Sequence, residues 1–255
     1  MWVGQQLADG LDFWGFLGSL ILGGIILGIY TGLLGYVGAK TGLSLDLLSQ
    51  RAFGEKGSYL PSAMTSFTQI GWFSVGSFVS GGTATPNFAR FAKNGKSGAI
   101  TTVVAFFIGN SLMFFFGAVS SIFVGGNDIF EVMVRLNLFY LAVLVLGLNI
   151  WTTNDNALYT AGLGLANIFH QRKKPMVLLS GIIGTVASVW LYYNFCGWLN
   201  ILNCTLPPVG TILVLAYFMN KEDFETDQPK LKTIDWFAVA GVILGAIVAN
   251  LLHWG

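Results

Sequence analysis

Seven mostly apolar stretches, separated by short polar connections, run over roughly 12–38, 58–80, 98–124, 138–169, 176–195, 197–219 and 234–254. About 20 such residues cross the hydrocarbon core of a bilayer as a helix, so each stretch predicts a spanning helix. The runs are continuous and lack the two-residue alternation of barrel strands. An all-α integral membrane protein follows, read as a single transmembrane domain over 1–255.

The fourth stretch breaks its own pattern. Leu148 to Tyr159 reads LNIWTTNDNALY, and five consecutive polar residues, Thr152 to Asn156, fall at the middle of an apolar run. On a helix, Asn149, Thr152, Thr153 and Asn156 are i, i+3, i+4 and i+7 and share one face about 100° wide. Asn154 lies on one flank of that face and Asp155 on the other.

Neutral hard oxygens of this kind suit a hard cation that sheds water. No His, Cys or carboxylate cluster accompanies them, which argues against a transition metal. Asn154 offers donor and acceptor together, the pair needed to read a heterocycle edge. Interhelical hydrogen bonding is the plainer use of polar residues in membranes. Five in a row at mid-bilayer favour a site. In the second stretch Gln69 and Trp72 are i, i+3: an amide and an indole on one face, a fitting pocket for a flat polar ring. Phe78 follows six positions later.

Two further interruptions stand out. Ser80-Gly81-Gly82-Thr83-Ala84-Thr85-Pro86 predicts a helix broken in or near the membrane, or else the start of a loop. Asn203 to Pro208 interrupts the sixth stretch, read as a proline kink. Gly24, Gly28 and Gly32 repeat at four-residue spacing and predict close helix packing.

Composition agrees with lipid as the solvent. The chain is 54% hydrophobic and 10% charged, against about 25% charged in soluble domains. A net charge of +1 gives no footprint for a nucleic acid polymer. Cys196 and Cys204 match no disulfide or zinc framework. The opening MWVGQQLADG lacks the basic region of a signal peptide.

Charge placement sharpens the topology. If every stretch crosses once, the 13 Lys and Arg divide 9 to 4 between the two sides. An even number of crossings between Lys56 and Arg90 makes the division 12 to 1, much closer to the positive-inside rule. Either 58–80 is a re-entrant pair of half-helices, or an odd number of spans is missing near Gly76–Ser77. Both readings put the large basic loops in the cytoplasm and both ends of the chain outside.

The segments LGLNIWTTNDNALYTAGLG, GYVGAKTGLS, TQIGWFSVG and FVSGGTATPNFARFAKN closely resemble the cytosine permeases of the nucleobase–cation symporter family, over nearly the whole chain. The resemblance implies a sodium-coupled importer of cytosine in the inner membrane, with the five-plus-five inverted-repeat symporter fold. By position, Trp72 and Phe78 match the aromatic pair that sandwiches the base. Gln69, Ser77, Ser80 and Asn154 match polar groups around it, and Asn149, Thr152 and Thr153 match side-chain ligands of sodium.

Relative to that family, the first half-helix, helices four and five and the last helix have no counterpart, and TQIGWFSVG joins SFVSGGTATP directly. Sodium is the coupling ion, no other metal or cofactor is implied, and no enzyme activity is expected, since Asp155 has no nucleophile or metal partner. The rivals are a permease for another ring, such as a purine, uracil or a hydantoin, and a non-transporting scaffold.

Overall fold

An apolar run in lipid can satisfy its backbone only within itself, and these runs accordingly fold as helices. The structure is a computed structural model that describes residues 11–75, 83–124, 129–227 and 229–254. In chain order the helices are α1 (Phe13–Thr41), α2 (Leu45–Phe53), α3 (Tyr59–Val75), α4 (Pro86–Ala89), α5 (Gly95–Val124), α6 (Ile129–Arg135), α7 (Phe139–Phe169), α8 (Lys173–Tyr193), α9 (Phe195–Met219), α10 (Lys221–Glu225) and α11 (Trp236–Trp254). No strand occurs among the described residues.

Among the described residues, four helices are long and apolar enough to cross a bilayer: Phe13–Thr41, Gly95–Val124, Lys173–Leu191 and Gly197–Met219. A shorter apolar segment covers Trp236–Leu252. Large apolar side chains such as Ile26, Phe116, Val186, Leu215 and Leu252 are exposed on these helices, as a lipid-facing surface requires.

The chain groups into two units, one of 1–32 with 100–152 and one of 33–99 with 153–255. In the first, Gly24 and Gly28 of α1 lie against α5. A Cβ on Gly24 would sit 3.0 Å from the Phe107 ring and 3.4 Å from Ser111 Oγ, and one on Gly28 would sit 3.7 Å from Val103. Small residues here let two helices approach closely.

In the second unit, α3 packs along α8, and α9 along α11. Ala157, Leu191, Trp198, Leu199, Leu202 and Leu206 form a buried cluster that also holds Met64 and Ala187. On α11, Gly241 and Gly245 meet Ile212 and Pro208, where added Cβ atoms would stand 2.8 and 3.0 Å away. The Asn203–Pro208 stretch, read as a kink within a helix, does not break it: α9 continues through Pro207 and Pro208. Neighbouring helices tolerate proline in a membrane helix when they cover the freed carbonyls.

The short helix α2 is defined locally. Ser44 caps it, accepting a hydrogen bond from Leu47 N at 3.4 Å, with Asp46 in the first turn and Arg51 in the last. Gly54 ends it at φ 84°, and a Cβ there would lie 2.5 Å from Lys232 O. That turn is held by Glu55 N donating to Lys232 O and Asp235 N donating to Phe53 O. Pro86 opens α4 in its first turn, after a turn at Thr83–Thr85.

Candidate functional site

The sides of α3 and α7 on which Gln69 and Asn154 fall are bonded to each other further along, through Ser62 and Ser66 on one and Asn167 and Ala161 on the other. Ser58 precedes α3, and Ser62, Ser66 and Gln69 follow at helical spacing on one side of it. On α7, Asn154, Ala157, Ala161, Gly164 and Asn167 repeat at three- or four-residue intervals, which also places them on one side. Asn167 Nδ2 donates to Ser58 Oγ at 3.0 Å and to Ser62 Oγ at 2.9 Å. Ser66 Oγ donates to Ala161 O at 3.1 Å. The partner number on α7 falls as that on α3 rises, so the helices run antiparallel.

Gly164 allows this approach, because a Cβ there would stand 2.1 Å from Ser66 Oγ and 2.8 Å from Ser62 O. Continued at a rise of about 1.5 Å per residue, the register puts Gln69 and Trp72 level with the segment 154–160.

Gln69 is buried. Asn154 is half-buried, and its Oδ1 is enclosed with no hydrogen-bond partner among the described residues. Thr160 Oγ1, two turns from Asn154 toward Asn167, is also enclosed and unpartnered there. A buried acceptor in that state is suited to a donor from a guest. Trp72 lies within α3, while Ser77, Phe78 and Ser80, and with them the expected junction at Gly76–Ser77, lie outside the described residues.

The proposed cation ligands share one helix. Asn149 and Thr152 belong to the first unit and are exposed, and Thr153 belongs to the second and is half-buried. Thr152 Oγ1 is turned onto its own helix, donating to Leu148 O and Asn149 O, each at 3.1 Å. Asp155 and Asn156 are exposed.

Sequence reasoning missed the polar cluster at the other end of the α3–α7 pair. Gln50 Nε2 of α2 donates to Asn167 Oδ1 at 2.6 Å, and Ser62 Oγ donates to Asp46 Oδ1 at 2.6 Å. Asp46 is buried, and burial pushes its carboxyl up to about 6, against the opposing pull of the Ser62 hydrogen bond and the positive charge of Arg90. Arg90 Nη2 donates to Tyr159 OH, and Lys173 Nζ lies 3.5 Å over the Tyr159 ring. Asn87 Oδ1 accepts from Leu45 N at 2.8 Å. The available signal was the four-residue spacing of Ser58, Ser62 and Ser66 ahead of Gln69.

Several helices long and apolar enough to cross a bilayer define a multi-pass membrane protein. The chain matches the family model described as "Permease for cytosine/purines, uracil, thiamine, allantoin" over residues 1–83 and 74–253. It is 36% identical to the protein named cytosine permease in Escherichia coli strain K12, over 100% of this chain and 82% of that relative. The cytosine permeases of Escherichia coli O6:H1 and O157:H7 match at the same identity and coverage. The chain belongs to this permease family and is a multi-pass protein of the inner membrane.

The alignment extends over 345 positions whereas this chain has 255 residues, a difference of 90. The two family matches overlap at 74–83, the stretch that includes Gly76–Ser77.

Proposed function

We propose that this chain moves cytosine inward across the membrane by alternating access, driven by sodium. The observation that carries the reading is the enclosed, unpartnered Oδ1 of Asn154, on the side of α7 whose Ala161 and Asn167 bond to the side of α3 that carries Gln69. The names of the relatives supply the nucleobase. Gln69 and Asn154 read the polar edge of the base, Trp72 and Phe78 stack on its faces, and Ser77 and Ser80 complete the polar surround. Asn149, Thr152 and Thr153 replace part of the hydration shell of sodium. No covalent step is involved.

The 90-position difference from the relatives, together with two family matches that meet at 74–83, supports the absence of an internal segment equivalent to family helices four and five. The α3–α7 pair lies outside that stretch.

The test is uptake of labelled cytosine into proteoliposomes across an imposed sodium gradient. Uptake is expected to require sodium and to be abolished by Thr153→Ala. Uptake that persists unchanged without sodium refutes the coupling. The family description also covers purines, uracil, thiamine and allantoin, and competition by unlabelled rings separates these from cytosine. A non-transporting scaffold predicts no sodium-dependent binding of any ring.

A further inference from the structure

The hydrogen bonds at the basic-loop end of the α3–α7 pair run in one direction. Gln50 donates to Asn167, Asn167 to Ser62, and Ser62 to Asp46. Every donor is used in turn, and the chain ends on a carboxylate oxygen that is buried. A hydroxyl can accept from one neighbour and donate to the next only if an acceptor waits at the end. Without it, Ser62 loses the partner that orients its hydroxyl and its lone pair toward Asn167.

These links join α2, α3 and α7, and two of those helices carry Gln69 and Asn154. Ser62 and Gln69 are seven residues apart on one face of α3, about two turns. Asn167 and Asn154 are thirteen apart on one face of α7. The hydrogen-bonded end therefore sets the level at which the two ring-binding faces meet.

The charged and titratable groups around this end are few. Arg90, after α4, acts on Asp46 through its positive charge and is bonded to Tyr159 of α7, whose ring carries Lys173 of α8. Tyr59 of α3 pairs with His170 after α7. Arg51 of α2 donates instead to the carbonyls of Asp223, Phe224 and Thr226.

We propose that Asp46 is a positioning residue for nucleobase binding: as the terminal acceptor of the Gln50–Asn167–Ser62 chain it fixes the register of α3 on α7. Its oxygen does the positioning, and its charge does not. The inference rests on the reading of Gln69 and Asn154 as ring-binding residues, and its test separates the two.

Labelled-cytosine binding is measured in detergent for the unaltered chain and for Asp46→Asn, Asp46→Ala and Asn167→Ala, each checked as a single folded species. In parallel, spin labels on Phe67→Cys of α3 and Phe169→Cys of α7, both exposed positions, report the register on a background without Cys196 and Cys204. Asp46→Ala and Asn167→Ala are expected to weaken binding about tenfold, the equivalent of one lost buried hydrogen bond. They are also expected to shift the label distance by about 1.5 Å or more, the rise of one residue. Asp46→Asn, which keeps the acceptor, is expected to match the unaltered chain in both.

A label distance unchanged in a folded Asp46→Ala overturns the proposal, whatever its affinity. So does an Asp46→Asn that behaves like Asp46→Ala. If Asp46→Ala does not fold, Asn167→Ala carries the same expectation. If the unaltered chain binds no cytosine, the nucleobase reading fails, and the label distances still judge the register.

Discussion

Replacing Asp46 by asparagine should stabilise the protein at neutral pH and remove a pH dependence. Asp46 sits in α2, outside the spanning helices, and burial carries its carboxyl from an ordinary 3.8 to about 6. That value already includes the help of Ser62 and Arg90, so burial outweighs what they return. At 1.36 kcal/mol per pKa unit the ionised form costs about 3 kcal/mol relative to an unfolded chain. The native state binds this proton more tightly than the unfolded chain does. The favourable contribution is therefore complete below about pH 4 and is lost as the pH rises through about 6.

The substituted amide would keep an Oδ1 acceptor for Ser62 and has no proton to lose. The Asp46→Asn chain should be the more stable at pH 7, by up to about 3 kcal/mol, and the advantage should vanish by about pH 4. Thermal unfolding in detergent, followed by tryptophan fluorescence, reads this as a midpoint difference of roughly 6–12 °C at pH 7. Other carboxylates also respond to pH, so the quantity that matters is the difference between the two chains. A difference that is flat from pH 4 to 7, or an Asp46→Asn chain less stable at pH 7, refutes the reasoning.

Three further outcomes follow from close approaches. Gly164→Ala would bring a methyl group within 2.1 Å of Ser66 Oγ and 2.8 Å of Ser62 O, and should cost about 1–3 kcal/mol by overpacking, read as a lowered thermal midpoint. Gly71→Ala would place its Cβ 2.1 Å from the buried Trp198 ring, and should lower the midpoint by a similar amount, with relief in the double variant Gly71→Ala, Trp198→Phe. Gly54→Ala combines a φ of 84° with a Cβ 2.5 Å from Lys232 O. It should cost about 1–3 kcal/mol and increase amide exchange at Glu55 and Asp235, whose N–H groups hold that turn.

The helices were legible because the signal for a membrane helix is length and polarity, which need no partner to be read. Phe139–Phe169 shows this, since its ends were fixed by flanking polar residues even though its middle is polar. Asn154 and Gln69 stood out for the converse reason, since a polar side chain in an apolar run demands an account, and their binding role is the proposal made above. The Asn203–Pro208 stretch was read as a kink within a helix and not as a break, and α9 does run on through both prolines; what the sequence could not show is that Gly245 of α11 packs against the Pro208 ring, which is tertiary information.

Asp46 was invisible for a related reason. An aspartate in the first turn of a short polar helix reads as an ordinary solvated charge at a helix start. Only folding reveals that Ser62 donates to it, that Asn167 in turn donates to Ser62, and that the charge of Arg90 acts on it. The sequence does show the other half of that arrangement, in serines spaced by four ahead of Gln69 and an asparagine thirteen residues beyond Asn154. If Gln69 and Asn154 bind the ring as proposed, the hydrogen-bond chain at the other end of the same two helices sets the level at which they face each other. On that reading, binding should respond to a carboxyl about two turns along α3 from Gln69 that the guest never touches.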